Sequence, residues 1–261
     1  FFEDTMKAGH YKNKKESVET MINNSREIIN ELIDFGVDFE RENGELLYTR
    51  EGAHAKPRIL YHKDITGQEI TEKLLTQVKS RKNIEILENT TMIDIITKEN
   101  TCVGVVLKNQ DGIFSVYAKN IVLATGGIGG VYKNSTNFPH LTGDSLAVCK
   151  KHNVKLKDIS YVQIHPTSLY SKRPGRRFLV SESVRGEGAL LYDKNFERFT
   201  EELIPRDKLT QKILAQMEKD GTDFVWLDMR EIKKHGIDIE KRFPNICLLY
   251  TSPSPRDGLL S

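Results

Sequence analysis

Apolar residues recur at helical spacing through Val18, Met21, Ile22, Ile28, Ile29, Leu32 and Ile33. That stripe predicts an amphipathic helix with Ser17 as its amino-terminal cap and Gly36 just past its end. A polar, irregular stretch follows from Glu40 to Gly67, and the spacing of Ile70, Leu74, Leu75 and Val78 then predicts a second helix. Ile84 to Leu87 reads as a short strand, so the chain opens as alternating helix and strand. Between Thr91 and Ala118 the pattern shortens to β-rich runs, Met92–Ile96, Val103–Leu107 and Phe114–Tyr117, with Asp111-Gly112 as a hairpin turn. These predict a small antiparallel meander.

Ile121-Val122-Leu123-Ala124 is wholly apolar and reads as a strand running into Thr125-Gly126-Gly127-Ile128-Gly129-Gly130. Glycines there let the backbone turn sharply and approach a phosphate or a ring without a Cβ in the way, although the same loop also serves as a plain tight turn. From Ser160 onward Pro166, Pro174 and Pro205 punctuate the chain, which suggests a second domain. A polar, glycine-rich section from Ser181 to Gly188 precedes a helix with Pro205 in its first turn and Leu209, Ile213, Leu214 and Met217 on its buried face. Arg206 sits at that helix start, where the dipole disfavours a cation, so an anion is expected to hold it there.

Lys and Arg total 39 against 37 Asp and Glu, a net charge of +2 that gives no case for nucleic acid or an anionic membrane as partner. No run of about 20 apolar residues occurs, and the first residues lack the basic-then-apolar pattern of a signal peptide, which leaves a cytoplasmic protein as the expectation. Cys102, Cys149 and Cys247 lie far apart without metal-ligand spacing, so buried thiols are expected and no metal site.

Four segments taken together are far more specific than any one: Arg50-Glu51-Gly52-Ala53-His54, Ala124-Thr125-Gly126-Gly127, Gln163-Ile164-His165-Pro166-Thr167, and Ser181-Glu182 through Arg185-Gly186-Glu187-Gly188 to Pro205-Arg206-Asp207. Their order and spacing resemble the succinate dehydrogenase/fumarate reductase flavoprotein superfamily and, within it, the L-aspartate oxidases, over residues 1 to 246. The resemblance implies an α/β fold: a partial Rossmann-like FAD-binding domain with a small antiparallel meander over residues 1–158, and an α+β capping domain over 159–246. It implies FAD as cofactor and oxidation of L-aspartate to iminosuccinate with oxygen or fumarate as acceptor. This is the first step of NAD biosynthesis, with the product passed to quinolinate synthase. The alternative within the superfamily is a succinate dehydrogenase/fumarate reductase flavoprotein subunit.

By the same resemblance, Arg206, His165 and Glu51 are catalytic, and Ser181, Glu182, His165 and Glu51 bind substrate. Ala124, Thr125, Gly126, Gly127, Asn137, Thr142, Gly143 and Asp144 contact FAD. The chemistry agrees: two carboxylates need donors such as His165, Thr167, Ser181 and Arg206, and a carboxylate at Glu51 is useful only where an ammonium is bound. Arg206 matches the superfamily's proton-transfer arginine, yet a guanidinium with a pKa above about 12 is better suited to electrostatic clamping. Arg185 to Gly188 reads as structural.

Ala53 and Ser145 stand where the family has glycine, Ser181 where threonine is typical, and the Arg198–Pro205 connection is short. The chain opens without Met inside a helix-like start and lacks the amino-terminal GxGxxG turn and the carboxy-terminal segments of the family. It is therefore expected to be an internal fragment, inactive alone. The run from Cys247 to Asp257 matches a translated sequencing adapter, so residues 247–261 are expected to be non-native; a Ser/Pro-rich linker is the competing reading.

Overall fold

The structure, a computed structural model, describes residues 1–251; most of the expected non-native tail, residues 252–261, lies outside the described residues. In chain order the elements are α1 (Phe2–Ala8), α2 (Lys15–Asp34), β1 (Arg41–Glu42), β2 (Glu45–Leu46), α3 (Thr66–Ser80), β3 (Thr91–Lys98), β4 (Thr101–Asn109) and β5 (Gly112–Tyr117). After these come α4 (Asp144–Lys151), α5 (Glu182–Gly186), β6 (Leu190–Tyr192), α6 (Arg206–Asp220), β7 (Trp226–Asp228), α7 (Arg230–Lys234), α8 (Ile239–Arg242) and α9 (Pro244–Thr251). The chain divides into two compact units. The first comprises residues 1–81, 164–167 and the chain from Val180 onward; the second comprises residues 82–163 and 168–179.

In the first unit, α2 and α3 form where the apolar stripes predict them. Ser17 is not the cap of α2, because the Lys14 carbonyl already accepts the Val18 N–H at 3.1 Å and the helix begins at Lys15. Gly36, at φ +92°, does close it, with its N–H donating to Ile33 O at 2.8 Å and the Val37 N–H to Leu32 O at 2.9 Å. The core lies further along the chain, where Leu191, Leu209 and Ile213 pack with Phe199, Ile204, Met217, Val225 and Leu227. Antiparallel β6 and β7, with Leu191 opposite Leu227, support one side of that cluster.

The buried stripe of α6 differs from the expected one. It runs through Leu209, Ile213, Gln216 and Asp220 at steps of four, three and four, and Leu214 falls off it into solvent. Gln216 can occupy a buried position because its Nε2 donates to Asp220 Oδ1 at 2.9 Å. The section from Ser181 to Gly188, ahead of α6, carries a short helix of its own, α5, and Ser181 caps it by accepting the Ser183 N–H.

The second unit holds the meander in the order β3-β4-β5, antiparallel throughout. Its hairpin turn sits one residue earlier than expected, at Gln110-Asp111. Asn109 Oδ1 accepts from the Asp111 and Gly112 N–H groups, and Gly112, at φ +136°, already begins β5. Asp94 of β3 ties α4 to the sheet, accepting from His152 Nε2 at 2.7 Å and from Lys151 Nζ, and these two partners hold its carboxyl down at about 2.

Two expected strands are absent from the described residues. Ile84–Leu87 and Ile121–Ala124 are irregular, with Ile84, Ile86, Leu87, Val122 and Leu123 exposed. Both runs have strand composition, but a strand exists only through hydrogen bonds to a neighbour, and neither run has one here. The architecture is α/β with small antiparallel sheets. Among the described residues no helix is long and apolar enough to cross a membrane.

Candidate functional site

The first unit brings Glu51, His54, His165, Ser181, Glu182, Arg185 and Arg206 within itself. At its centre is Glu182, 3% exposed on the first turn of α5. Arg206 Nε donates to Glu182 Oε2 at 2.6 Å, and Arg185 Nη2 stands 3.8 Å from Oε1. Arg206 thus finds its anion inside the chain, which explains a cation at the start of α6. An ideal Cβ on Gly52 would stand 2.1 Å from Glu182 Oε1, so glycine there admits the carboxylate.

Glu51 precedes that glycine. It is half-buried, and its carboxylate has no hydrogen-bond or ion-pair partner among the described residues. Burial first, then the Glu182 charge, push its pKa up, against the pull of Arg206, Arg185 and Arg242. The side chain sits in the field of the Glu182–Arg206–Arg185 group without being neutralised by a direct contact.

His165 lies in the same field: burial, then Arg206, lower its pKa to about 4. Its Nδ1 is 2.8 Å from Thr167 O and 3.3 Å from Thr167 N. The shorter contact assigns the proton to Nδ1, so neutral His165 presents Nε2 as an acceptor. That corrects the expectation of a donor: the imidazole is committed to the Thr167 carbonyl. Thr167 is itself 7% exposed, and its hydroxyl is spent on Val180 O at 3.1 Å, so it orients His165 rather than offering a donor. The Ser181 hydroxyl is likewise engaged with Ser183.

Arg185 to Gly188 knit the unit together. Buried Arg185 donates through Nη1 to Glu202 O. Glu187 Oε1 accepts from Thr49 Oγ1 at 2.8 Å and from Arg242 Nε at 3.3 Å. An ideal Cβ on Gly186 would meet Arg50 O at 2.1 Å, so the backbone carrying Glu51 lies directly against α5. The short connection after Arg198 is anchored by Glu202, which receives a fork from Arg198 (3.0 and 2.6 Å) and the Leu191 N–H at 3.0 Å.

The second unit gathers every residue expected at FAD. Thr125 shares a hydrogen bond of 2.6 Å with Ser145, Thr142 Oγ1 donates to Asp144 Oδ1 at 2.9 Å, and the Gly130 N–H donates to Leu141 O at 2.8 Å. A Cβ on Gly129 would strike the Asn137 amide at 2.2 Å, so the two halves of the loop touch. Two arginines that no motif marks brace it; Arg177 donates to Asn134 Oδ1 (3.2 and 3.0 Å) and Arg176 to Thr136 O at 2.6 Å. Ala124, Thr125, Gly126 and Gly127 are exposed residues, and the N–H groups of the last three meet no acceptor among the described residues. A bare row of backbone donors with a carboxylate at the start of α4 fits a nucleotide with oxygen-rich ring and ribose edges.

A model of the FAD binding domain family matches residues 1–252. The chain belongs to the FAD-binding domain family. FAD is the cofactor of that family. The chain is similar to L-aspartate oxidase of Clostridium perfringens (strain 13 / Type A), 48% identical over 94% of this chain and 56% of that protein. It is also similar to L-aspartate oxidase of Clostridium acetobutylicum, 44% identical over 94% of this chain and 57% of that protein. Among solved structures, a mutant quinol fumarate reductase of E. coli matches with a TM-score of 0.85 at 26% identity, over 97% of this chain and 47% of that one. The chain spans little more than half the length of these curated relatives.

Proposed function

We propose that this sequence is part of a cytoplasmic, FAD-dependent L-aspartate oxidase that converts L-aspartate to iminosuccinate. Oxygen or fumarate is the acceptor, and the product feeds quinolinate synthase in NAD biosynthesis. The reading assigns residues 1–158 to the FAD domain and residues 159–246 to a cap. Its support is Glu51, an unpartnered, half-buried carboxylate in the field of the Glu182–Arg206 pair. A dianion such as succinate would be repelled by it, whereas an amino acid brings the missing cation.

When bound, FAD supplies the two-electron acceptor for the hydride leaving Cα. The chain's residues do the rest. Arg206, held by Glu182, clamps a substrate carboxylate, and Glu182 with Ser181 fixes the start of α5 against it. Glu51 orients the ammonium, and His165, neutral with Nε2 open as an acceptor, receives a hydrogen bond from the same end of the substrate. Cofactor contacts fall to Ala124 through Gly127, Asn137, Thr142, Gly143 and Asp144, through backbone donors and the Asp144 carboxylate.

The decisive experiment offers aspartate and succinate separately to the flavin-loaded enzyme that carries this sequence, with oxygen and with fumarate. Aspartate turnover is expected, with Glu51→Gln raising the aspartate KM while lowering the succinate Ki. Succinate oxidation without aspartate turnover would overturn the reading in favour of a dicarboxylate dehydrogenase.

A further inference from the structure

The turn that carries Glu51 is fastened by three residues with no role in the proposed reaction. Asp4, on α1, accepts from the Ala55 N–H at 2.9 Å and from Arg58 Nη1 at 2.6 Å. Arg58 Nη1 also stands 3.3 Å from His54 Nδ1, and Arg50 Nε donates to His54 O at 2.9 Å. The His54 N–H returns to Glu51 O at 3.3 Å. The Arg58–Asp4 pair is mostly buried, its side chains 18% and 20% exposed, so water competes with it weakly.

A guanidinium has no lone pair to offer, so the Arg58 contact forces His54 Nδ1 to be the acceptor and puts the imidazole proton on Nε2. Burial and the Arg58 charge lower the His54 pKa, against Asp4 and Glu182, which keeps the ring neutral and the contact intact. Glu51 has no side-chain partner to orient it, and Arg206 attracts it. A loose turn would let that carboxylate swing away from the ammonium it serves, weakening the ammonium site while Arg206, held by Glu182, keeps its grip on a substrate carboxylate.

We propose that Asp4, Arg58 and His54 form a positioning device for Glu51, and that His54 thereby helps set the preference for an amine-bearing dicarboxylate. The inference rests on the aspartate reading above. His54 is a positioning residue: it acts on the turn and through Glu51.

The test compares the aspartate KM with the Kd of succinate, which has no ammonium, measured by calorimetry in the flavin-loaded enzyme. His54→Leu removes the acceptor and should raise the aspartate KM by about tenfold, the size expected for coupled neighbours, with succinate binding unchanged. His54→Asn places an amide oxygen near the Nδ1 position and should restore the aspartate KM. Arg58→Met should reproduce His54→Leu, and His54→Leu added to Glu51→Gln should bring no further loss. The positioning role is overturned if succinate binding weakens in step with aspartate, or if His54→Asn behaves like His54→Leu. If Glu51→Gln itself fails to separate the two ligands, the aspartate reading falls, and the proposal falls with it, by a result distinct from the others.

Discussion

Of the fourteen buried hydrophobic side chains in the described residues, thirteen belong to the first unit and only Ile95 to the second. The first unit also buries charge, with Glu182, Arg185, Glu202 and Arg242 each no more than 9% exposed. The second presents Val122, Ile159 and Tyr161 to solvent at 62% or more. Burial and proposed chemistry run in parallel. Charges that must grip a small dianionic, ammonium-bearing substrate act strongly only where water is excluded. A loop that must lie along a nucleotide needs its N–H groups bare.

The sharpest way to break this contrast is to remove one buried charge. Glu182→Gln leaves Arg206 and the fully buried Arg185 side chain without their shared carboxylate, and should destabilise the first unit by about 3–5 kcal/mol in chemical denaturation. A loss below about 1 kcal/mol would mean that solvent already screens the site. Apolar truncation comes next. Leu191→Ala, at a side chain with no exposed surface, should cost about 2–5 kcal/mol, whereas Val122→Ala, 87% exposed, should stay within about 0.5 kcal/mol. Equal losses at the two positions would show that the second unit is better packed than its exposure indicates.

Acid separates the units by window. His165, lowered to about 4 from an ordinary 6.5, binds its proton more readily in the unfolded chain, so stability falls as pH drops from 6.5 to 4, by up to about 3 kcal/mol. Glu51 works with the opposite sign. Its raised pKa favours the folded state at low pH, and that contribution is lost as pH rises through the folded value. In the second unit Asp94, lowered from 3.8 to about 2, contributes stability that is present above 3.8 and lost as pH falls through 2. Melting temperature against pH should therefore show the fall between pH 6.5 and 4 shrink in His165→Asn and the fall below pH 4 shrink in Asp94→Asn. A His165→Asn curve parallel to wild type would refute the burial assigned to that imidazole.

Local features are legible in the sequence, and partnerships are hidden in it. Helices α2 and α3 and the meander follow from periodicity, because each satisfies its backbone within a few residues or across a short turn. Ile84–Leu87 and Ile121–Ala124 have the composition of strands and lack the neighbours that would make them strands. The proposed site residues stand out by type and spacing. What spacing could not reveal is that Arg206 spends its charge on Glu182, that Thr167 serves His165, or that Asp4 reaches Arg58 across 54 positions. His54 leaves a faint trace, an arginine four residues on that only the fold turns toward its ring.

The smallest expected effect concerns backbone conformation, where the units solve one problem with different residues. Gly126, in the second unit, adopts φ +73° with no penalty, while Ala53, in the first, adopts φ +64°. A left-handed alanine costs about 1–2 kcal/mol, and glycine returns roughly half of that through the greater freedom of the unfolded chain. Because Ala53 is exposed, its methyl contributes little packing. Ala53→Gly should therefore stabilise the protein by about 0.5–1 kcal/mol in a denaturant titration, and Gly126→Ala should destabilise it by a similar or larger amount, since a Cβ there stands 2.9 Å from Leu141 Cδ2. If Ala53→Gly destabilises instead, the methyl is helping to stiffen the turn that presents Glu51, and the strain at Ala53 belongs with the Asp4–Arg58–His54 fastening as a means of holding that carboxylate in place.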